Sequence, residues 1–313
     1  MYTPNTVDGA SVFRLPHPLI SRFAPSITGF LHIGHVAHMA YLWGFTHSQG
    51  GLVRLRFEDH DSKRYRPEYE KSIVEDMQWL GFRVDEDGGK VLRQSERHET
   101  YEKILSQLRG RGLVYACECS RRDIQAQAGM TRSEGEEVPY QNVCRHRGLA
   151  EGEGRSVRLV FEPGPVTYRD LVGGLKTEDP ALRFGDLMIR DRHGDWTYQF
   201  AATVDDIEQG ITLVVRGDDI EPSTARQVAL ASLIGRETPP VFLHHPLILD
   251  RDGRKLSKRD NDTGVRELRE AGWEPERVLG LACFRVGLIS RDRPVHAEEV
   301  VNLFLNRLDE ETS

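Results

Sequence analysis

Strand-like and helix-like segments alternate along the first 117 residues, and that alternation leaves few ways to fold. Residues 20 to 26 (ISRFAPS) read as a short buried strand. A turn containing Gly29 follows, then a helix from about His32 to His47. Gly50 and Gly51 break that helix, and LVRLRFED reads as a second strand. PEYEKSIVEDMQWLGF carries apolar residues at helical spacing, with Pro67 near its first turn. RQSERHETYEKILSQLRGRG reads as another helix stopped by glycines, and LVYACEC returns as a strand. This order predicts an α/β fold: a Rossmann-like, doubly wound parallel sheet with helices on its faces. Beyond it, FGDLMIRD, GDWTYQFAATVDD and GITLVVRGDDI read as strands, Thr224 to Ile234 as a helix, VFLHHPLILD as a strand, and the end of the chain as helical.

Composition shifts between residues 117 and about 185, where cysteines, QAGMTRSEGEEVP and GLAEGEGR occur. The predicted organisation is an N-terminal extension (1–20), a first sheet half (21–116), an insertion (117–185), a second half (186–250), and a KLSKR loop with C-terminal helices (251–313). Of the 313 residues, 38% are hydrophobic and 29% charged, which suits a soluble globular chain. No apolar run approaches bilayer-spanning length, so no membrane partner is expected. The first 21 residues have no basic start and no unbroken apolar stretch, so they do not read as a secretory signal, and a cytoplasmic location is the default. A net charge of −7 argues against nucleic acid coating the whole surface and leaves room for a local basic face.

Two segments carry chemistry. In RFAPSITGFLHIGH (residues 22–35), His32 and His35 lie three apart and share a helix face. Backbone N–H groups at a helix start suit phosphate, and imidazoles beside them can donate to oxygens gaining charge. Gly34 leaves room for a nucleotide to approach the backbone. Alone, such a segment is better explained as a helix with surface histidines. In RDGRKLSKRD, Lys255 and Lys258 could reach a triphosphate, although a lone basic loop is usually only solvated surface. Arg22, Glu58 and Arg216 fall at predicted strand ends, where open α/β sheets bind ligands. Cys117, Cys119 and Cys144 cluster, while Cys283 sits in an apolar helix-like segment and reads as a core thiol. In a cytosolic chain such a cluster means metal more often than disulfide, and three thiolates favour four-coordinate structural zinc.

The two chemical segments, in this order and over two hundred residues apart, resemble the HIGH and KMSKS motifs of class I aminoacyl-tRNA synthetases. RFEDHDSKR (residues 56–64), the Tyr198 region with Asp205 and Asp206, and VVRGDDI (residues 214–220) make the chain similar to the glutamyl branch over about residues 20 to 260. The resemblance implies activation of L-glutamate by Mg2+-bound ATP in a class I catalytic domain. It places Arg22, Ser26, Glu58, Tyr198 and Arg216 around the amino acid. Glu58 would take the ammonium, and Arg216, Tyr198 and Arg22 the carboxylates. Gly34, His35 and Lys258 fall to ATP, and His32, His35, Lys255 and Lys258 to the reacting phosphates. In similar proteins a tyrosine occupies the place of Tyr140, which makes it one candidate for a fourth Zn2+ ligand. His146 is the chemically more ordinary one, and three reduced thiols without metal remain the plain alternative.

Only 54 residues follow Arg259. Short chains with this catalytic half resemble glutamyl-queuosine tRNA(Asp) synthetases, monomers whose RNA partner is tRNA(Asp) carrying queuosine. Other readings are a truncated glutamyl-tRNA synthetase charging tRNA(Glu), a non-catalytic RNA-binding paralogue, and a different adenylate-forming ligase. Ile27 stands where the family usually has Pro. Leu256 and Arg259 depart from KMSKS; Leu for Met conserves volume.

Overall fold

The computed structural model describes residues 13–60, 64–85, 91–129, 137–249 and 264–310. The first half runs β1 (Ile20–Phe23), α1 (Ile33–Ser48), β2 (Leu52–Phe57), α2 (Pro67–Trp79), β3 (Leu92–Arg93) and α3 (His98–Gly110). The β2 strand pairs in parallel with β1, Ile20 opposite Leu52, and with β3, Arg56 opposite Leu92. Next come β4 (Val114–Cys117), α4 (Arg121–Ala128), β5 (Ser156–Leu159), β6 (Val166–Asp170), β7 (Gly174–Glu178), α5 (Pro180–Phe184) and β8 (Leu187–Arg190). The chain returns through α6 (Tyr198–Glu208), β9 (Leu213–Gly217), α7 (Thr224–Leu233) and β10 (Val241–His245). It closes with α8 (Val265–Glu270), α9 (Pro275–Arg285) and α10 (Ala297–Glu310).

The parallel sheet expected from the alternation is present in two halves. One is β1-β2-β3; the other is β9-β10-β6 in parallel, with β7 antiparallel at its edge. They meet where the Thr212 N–H donates to the Ile20 carbonyl at 2.9 Å and the Ile20 N–H to Thr212 Oγ1 at 2.8 Å. Strand order therefore reverses between β1 and β9, and the crevice beyond their carboxyl ends is where such sheets bind ligands. Strands β4, β5 and β8 form a separate antiparallel sheet. The β6–β7 hairpin, inside the compositional insertion, extends the main sheet.

Helix α1 is buried on nearly every side, between the sheet and the α9–α10 pair. Cys283 is buried in that core, as a structural thiol should be. A second core joins α3 and α6 to the antiparallel sheet through Tyr101, Leu105, Phe161, Ile189 and Phe200.

The sequence expectation fails at GDWTYQFAATVDD, which is not a strand: its second half is helix α6. Phe200 through Asp205 are all buried, and the polar edge is confined to the two ends of the helix. So short a polar edge blurs the 3.6-residue period, and the aromatic and β-branched residues imitate a strand. Among the described residues no helix is long and apolar enough to cross a membrane.

A candidate active-site cleft at the switch point of the sheet

A cleft of about 580 Å3 opens at the carboxyl ends of β1 and β9. Arg22, Ser26, His32, Gly34, His35, Glu58, Tyr198 and Arg216, all singled out in the sequence, line it together. Lys255 and Lys258 lie outside the described residues. Their flanks do not. Leu247 and Ile248 line the cleft. Gly264 bridges to His32, with the Val265 N–H donating to the Leu31 carbonyl at 2.9 Å.

One end of the cleft is built by the start of α1. The Gly34 N–H donates to His32 Nδ1 at 3.1 Å, and the His32 N–H to His35 Nδ1 at 3.1 Å. This reciprocal cap satisfies two helix-end donors. It also fixes both tautomers. An Nδ1 that accepts carries no proton, so each neutral ring bears its hydrogen on Nε2. Two histidines that each hold an Nε2–H suit oxygens that gain negative charge. Gly34 is required locally, because a Cβ there would lie 2.9 Å from His32 Cε1. Gly34→Ala is therefore expected to displace the His32 ring and cut the rate of nucleotide chemistry by about tenfold or more. Unchanged turnover in that variant would detach the cap from the chemistry.

The other end rests on buried charges. Arg22 Nε donates to Asp206 Oδ1 at 3.0 Å, and Nη1 to the Val215 carbonyl at 3.3 Å. Arg56, fully buried, reaches Asp206 at 2.6 Å and Glu58 at 3.1 Å. These four groups balance one another. Burial pulls the Arg56 guanidinium towards neutrality, but Asp206 and Glu58 outweigh it and hold the charge firmly. Burial also pushes Asp206 up, yet Arg22 and Arg56 bring its carboxyl below the usual range. Glu58 goes the other way: burial raises it more than Arg56 and Arg22 lower it.

Arg216 is the exception to this balance. It is buried, and among the described residues it bonds only neutral side chains. Its Nη2 donates to Thr224 Oγ1 at 2.7 Å, Nη1 to Gln227 Oε1 at 2.7 Å and Nε to His244 Nε2 at 3.1 Å. Burial lowers its pKa, with Arg22 adding to the effect. Such a guanidinium is suited to a carboxylate arriving from outside.

In the antiparallel sheet region, Cys117, Cys119 and Cys144 place their sulfurs within 4.8 Å of one another. Zinc–sulfur bonds of ~2.3 Å set tetrahedral sulfur separations of about 3.8 Å, a spacing this group fits. Cys119 and Cys144 are 3.6 Å apart, too far for a disulfide. The Tyr140 hydroxyl stands 3.3 Å from Cys117 Sγ and accepts the Cys144 N–H at 3.0 Å. His146 is exposed and is not part of the cluster. The donor set therefore fits zinc.

A family model for class I tRNA synthetases (E and Q), catalytic domain, matches residues 18–312. The chain belongs to that family. Among curated relatives it is 42% identical to the glutamyl-Q tRNA(Asp) synthetase of Geobacter sulfurreducens, covering 86% of this chain and 84% of that one. It is 38% identical to the glutamate–tRNA ligase of Oleidesulfovibrio alaskensis, over 83% of this chain but 55% of that one. Among solved structures it resembles a glutamate tRNA ligase from Elizabethkingia meningosepticum in complex with its amino acid. That likeness has a TM-score of 0.73 and 27% identity, and covers 91% of this chain and 64% of that one.

In this synthetase-family chain, sequence reasoning missed His244 and Asp170, which adjoin Arg216, and gave no role to Arg56 or Asp206. Arg56 had a legible signal, an arginine between Leu55 and Phe57 in a buried strand. Asp206 was noted without its partners, which lie 150 and 184 residues away.

Proposed function

We propose that this chain activates L-glutamate with Mg-ATP, without RNA, and transfers the glutamyl group to queuosine in the anticodon of tRNA(Asp). The observation that carries the first half is the charge pattern of the cleft: a balanced quartet plus one buried guanidinium bonded only to neutral groups, beside two tautomer-fixed histidines. The second half is supported by likeness to the Geobacter sulfurreducens relative of that name over most of both chains.

In this reading Arg216, Arg22 and Tyr198 hold the carboxylates, Glu58 takes the ammonium and Ser26 borders the amino acid. The glutamate α-carboxylate attacks the α-phosphorus of ATP in line, and pyrophosphate leaves. No side chain need act as nucleophile or base; positioning and charge stabilisation lower the barrier. His32 and His35 donate to phosphate oxygens, Gly34 lets the nucleotide approach, and Lys258, helped by Lys255, stabilises the pentavalent centre. A hydroxyl of queuosine then attacks the mixed anhydride and AMP leaves. Cys117, Cys119, Cys144 and Tyr140 would hold a structural Zn2+ that stiffens the insertion.

The test of activation is glutamate-dependent pyrophosphate exchange without RNA. His35→Ala and Lys258→Ala are expected to slow exchange by about a hundredfold or more while glutamate still binds. Normal exchange in both would sink the assignment. A pH dependence follows from Glu58. Burial raises its pKa, so the carboxylate takes up a proton earlier than an ordinary one as pH falls. The KM for glutamate should therefore rise on acidification, before free glutamate itself titrates near ~4.3. Glu58→Gln should abolish that rise and hold KM high throughout. For zinc, Cys144→Ser should lose the metal by elemental analysis and His146→Ala should keep it. The reverse pattern would reassign the site.

A further inference from the structure

The neutral groups on Arg216 form a chain with a fixed polarity. A guanidinium Nε can only donate, so His244 Nε2, 3.1 Å away, must accept and carry no proton. The Thr224 hydroxyl, accepting from Arg216 Nη2, lies 3.2 Å from the same Nε2 and can donate to it. The neutral imidazole then bears its hydrogen on Nδ1, where Asp170 Oδ2 accepts it. Asp170 is held in turn, because its Oδ1 accepts the backbone N–H groups of Val172 at 2.9 Å and Gly173 at 2.6 Å. Asp170 ends β6, His244 lies on β10 and Arg216 on β9, three neighbouring strands. His244 and Asp170 are both buried.

We propose that His244, oriented by Asp170, is a positioning residue for the amino-acid substrate: it fixes the Arg216 guanidinium in the cleft without placing a carboxylate on it. The inference rests on Arg216 being a glutamate-binding residue. A direct ion pair would hold Arg216 equally well, but it would cancel the charge the substrate needs. The imidazole separates the two, keeping the anion one residue back while its lone pair orients the cation.

Asp170→Asn tests the polarity. The asparagine oxygen would stay on the Val172 and Gly173 N–H groups, and its NH2 would face His244 Nδ1. That forces the hydrogen to Nε2, against the Arg216 N–H. The glutamate KM in pyrophosphate exchange is expected to rise about tenfold or more, with the ATP KM nearly unchanged. His244→Leu should do the same. His244→Gln, whose amide oxygen can accept from Arg216, should recover part of the loss. Imidazole 15N spectra of the wild-type chain, assigned by the signal lost in His244→Gln, should show His244 with hydrogen on Nδ1. An Nε2–H or doubly protonated His244 at neutral pH would overturn the proposal, whatever the variants do. If Arg216→Gln raises the glutamate KM but Asp170→Asn and His244→Leu do not, the relay fails and the glutamate site stands. An unchanged glutamate KM in Arg216→Gln would remove the ground of both.

Discussion

Arg216→Gln is expected to raise the KM for glutamate by about one hundredfold or more, with little change in the KM for ATP. The estimate follows from burial. Charge-assisted hydrogen bonds contribute roughly 1.5–3 kcal/mol each, and each ~1.4 kcal/mol is a factor of ten in affinity. A glutamine retains hydrogen-bonding atoms but not the charge. Among the described residues Arg22, Arg56, Asp206 and Glu58 pair with one another. In the proposed reading Arg216 is the group whose charge meets a substrate carboxylate. The wild-type chain should also reject glutamine, which carries no net charge to satisfy that guanidinium. Rejection should weaken in the variant. Pyrophosphate exchange measured against glutamate, glutamine and ATP separates these effects. Equal loss of ATP and glutamate affinity would mean that the substitution had disturbed the whole cleft.

Arg56→Leu should cost about 3–5 kcal/mol of folding stability, the range for breaking a buried ion network from one side. Arg56 is fully buried, and its loss would strand Glu58 and leave Asp206 with Arg22 alone. Much of the loss comes from the stranded carboxylate. Arg56→Leu combined with Glu58→Gln, which keeps the Arg22–Asp206 pair, should accordingly be more stable than Arg56→Leu alone. Denaturant midpoints of the single and double variants test this. A double variant less stable than the single one would show that Arg56 acts through packing and not through charge.

Much of the site was legible because its parts are local. His32, Gly34 and His35 occupy one helix turn, so spacing alone puts them together. Arg22, Glu58 and Arg216 sit at or just past strand ends, and a parallel sheet gathers such ends at one edge. What was not legible is pairwise and distant. Arg56 needed α6 to be recognised as a helix before Asp206 could be brought to it. His244 lies within VFLHHPLILD and Asp170 within the insertion, and nothing local in the sequence links them. Their link exists only because β6 returns to the edge of the main sheet beside β10. The misreading of α6 has a related origin: burial of six successive residues, Phe200 to Asp205, blurs the periodicity by which a helix is read. The KLSKR segment lies outside the described residues; of its flanks, Leu247 and Ile248 line the cleft and Gly264 bridges to His32.

The most direct measurement is transfer of labelled glutamate, with ATP, to three purified acceptors: tRNA(Asp) carrying queuosine, tRNA(Asp) lacking it, and tRNA(Glu). Label is expected on the queuosine-containing tRNA(Asp) alone. Label on tRNA(Glu) instead, with none on queuosine, would contradict the proposal and make the chain an enzyme that charges tRNA(Glu).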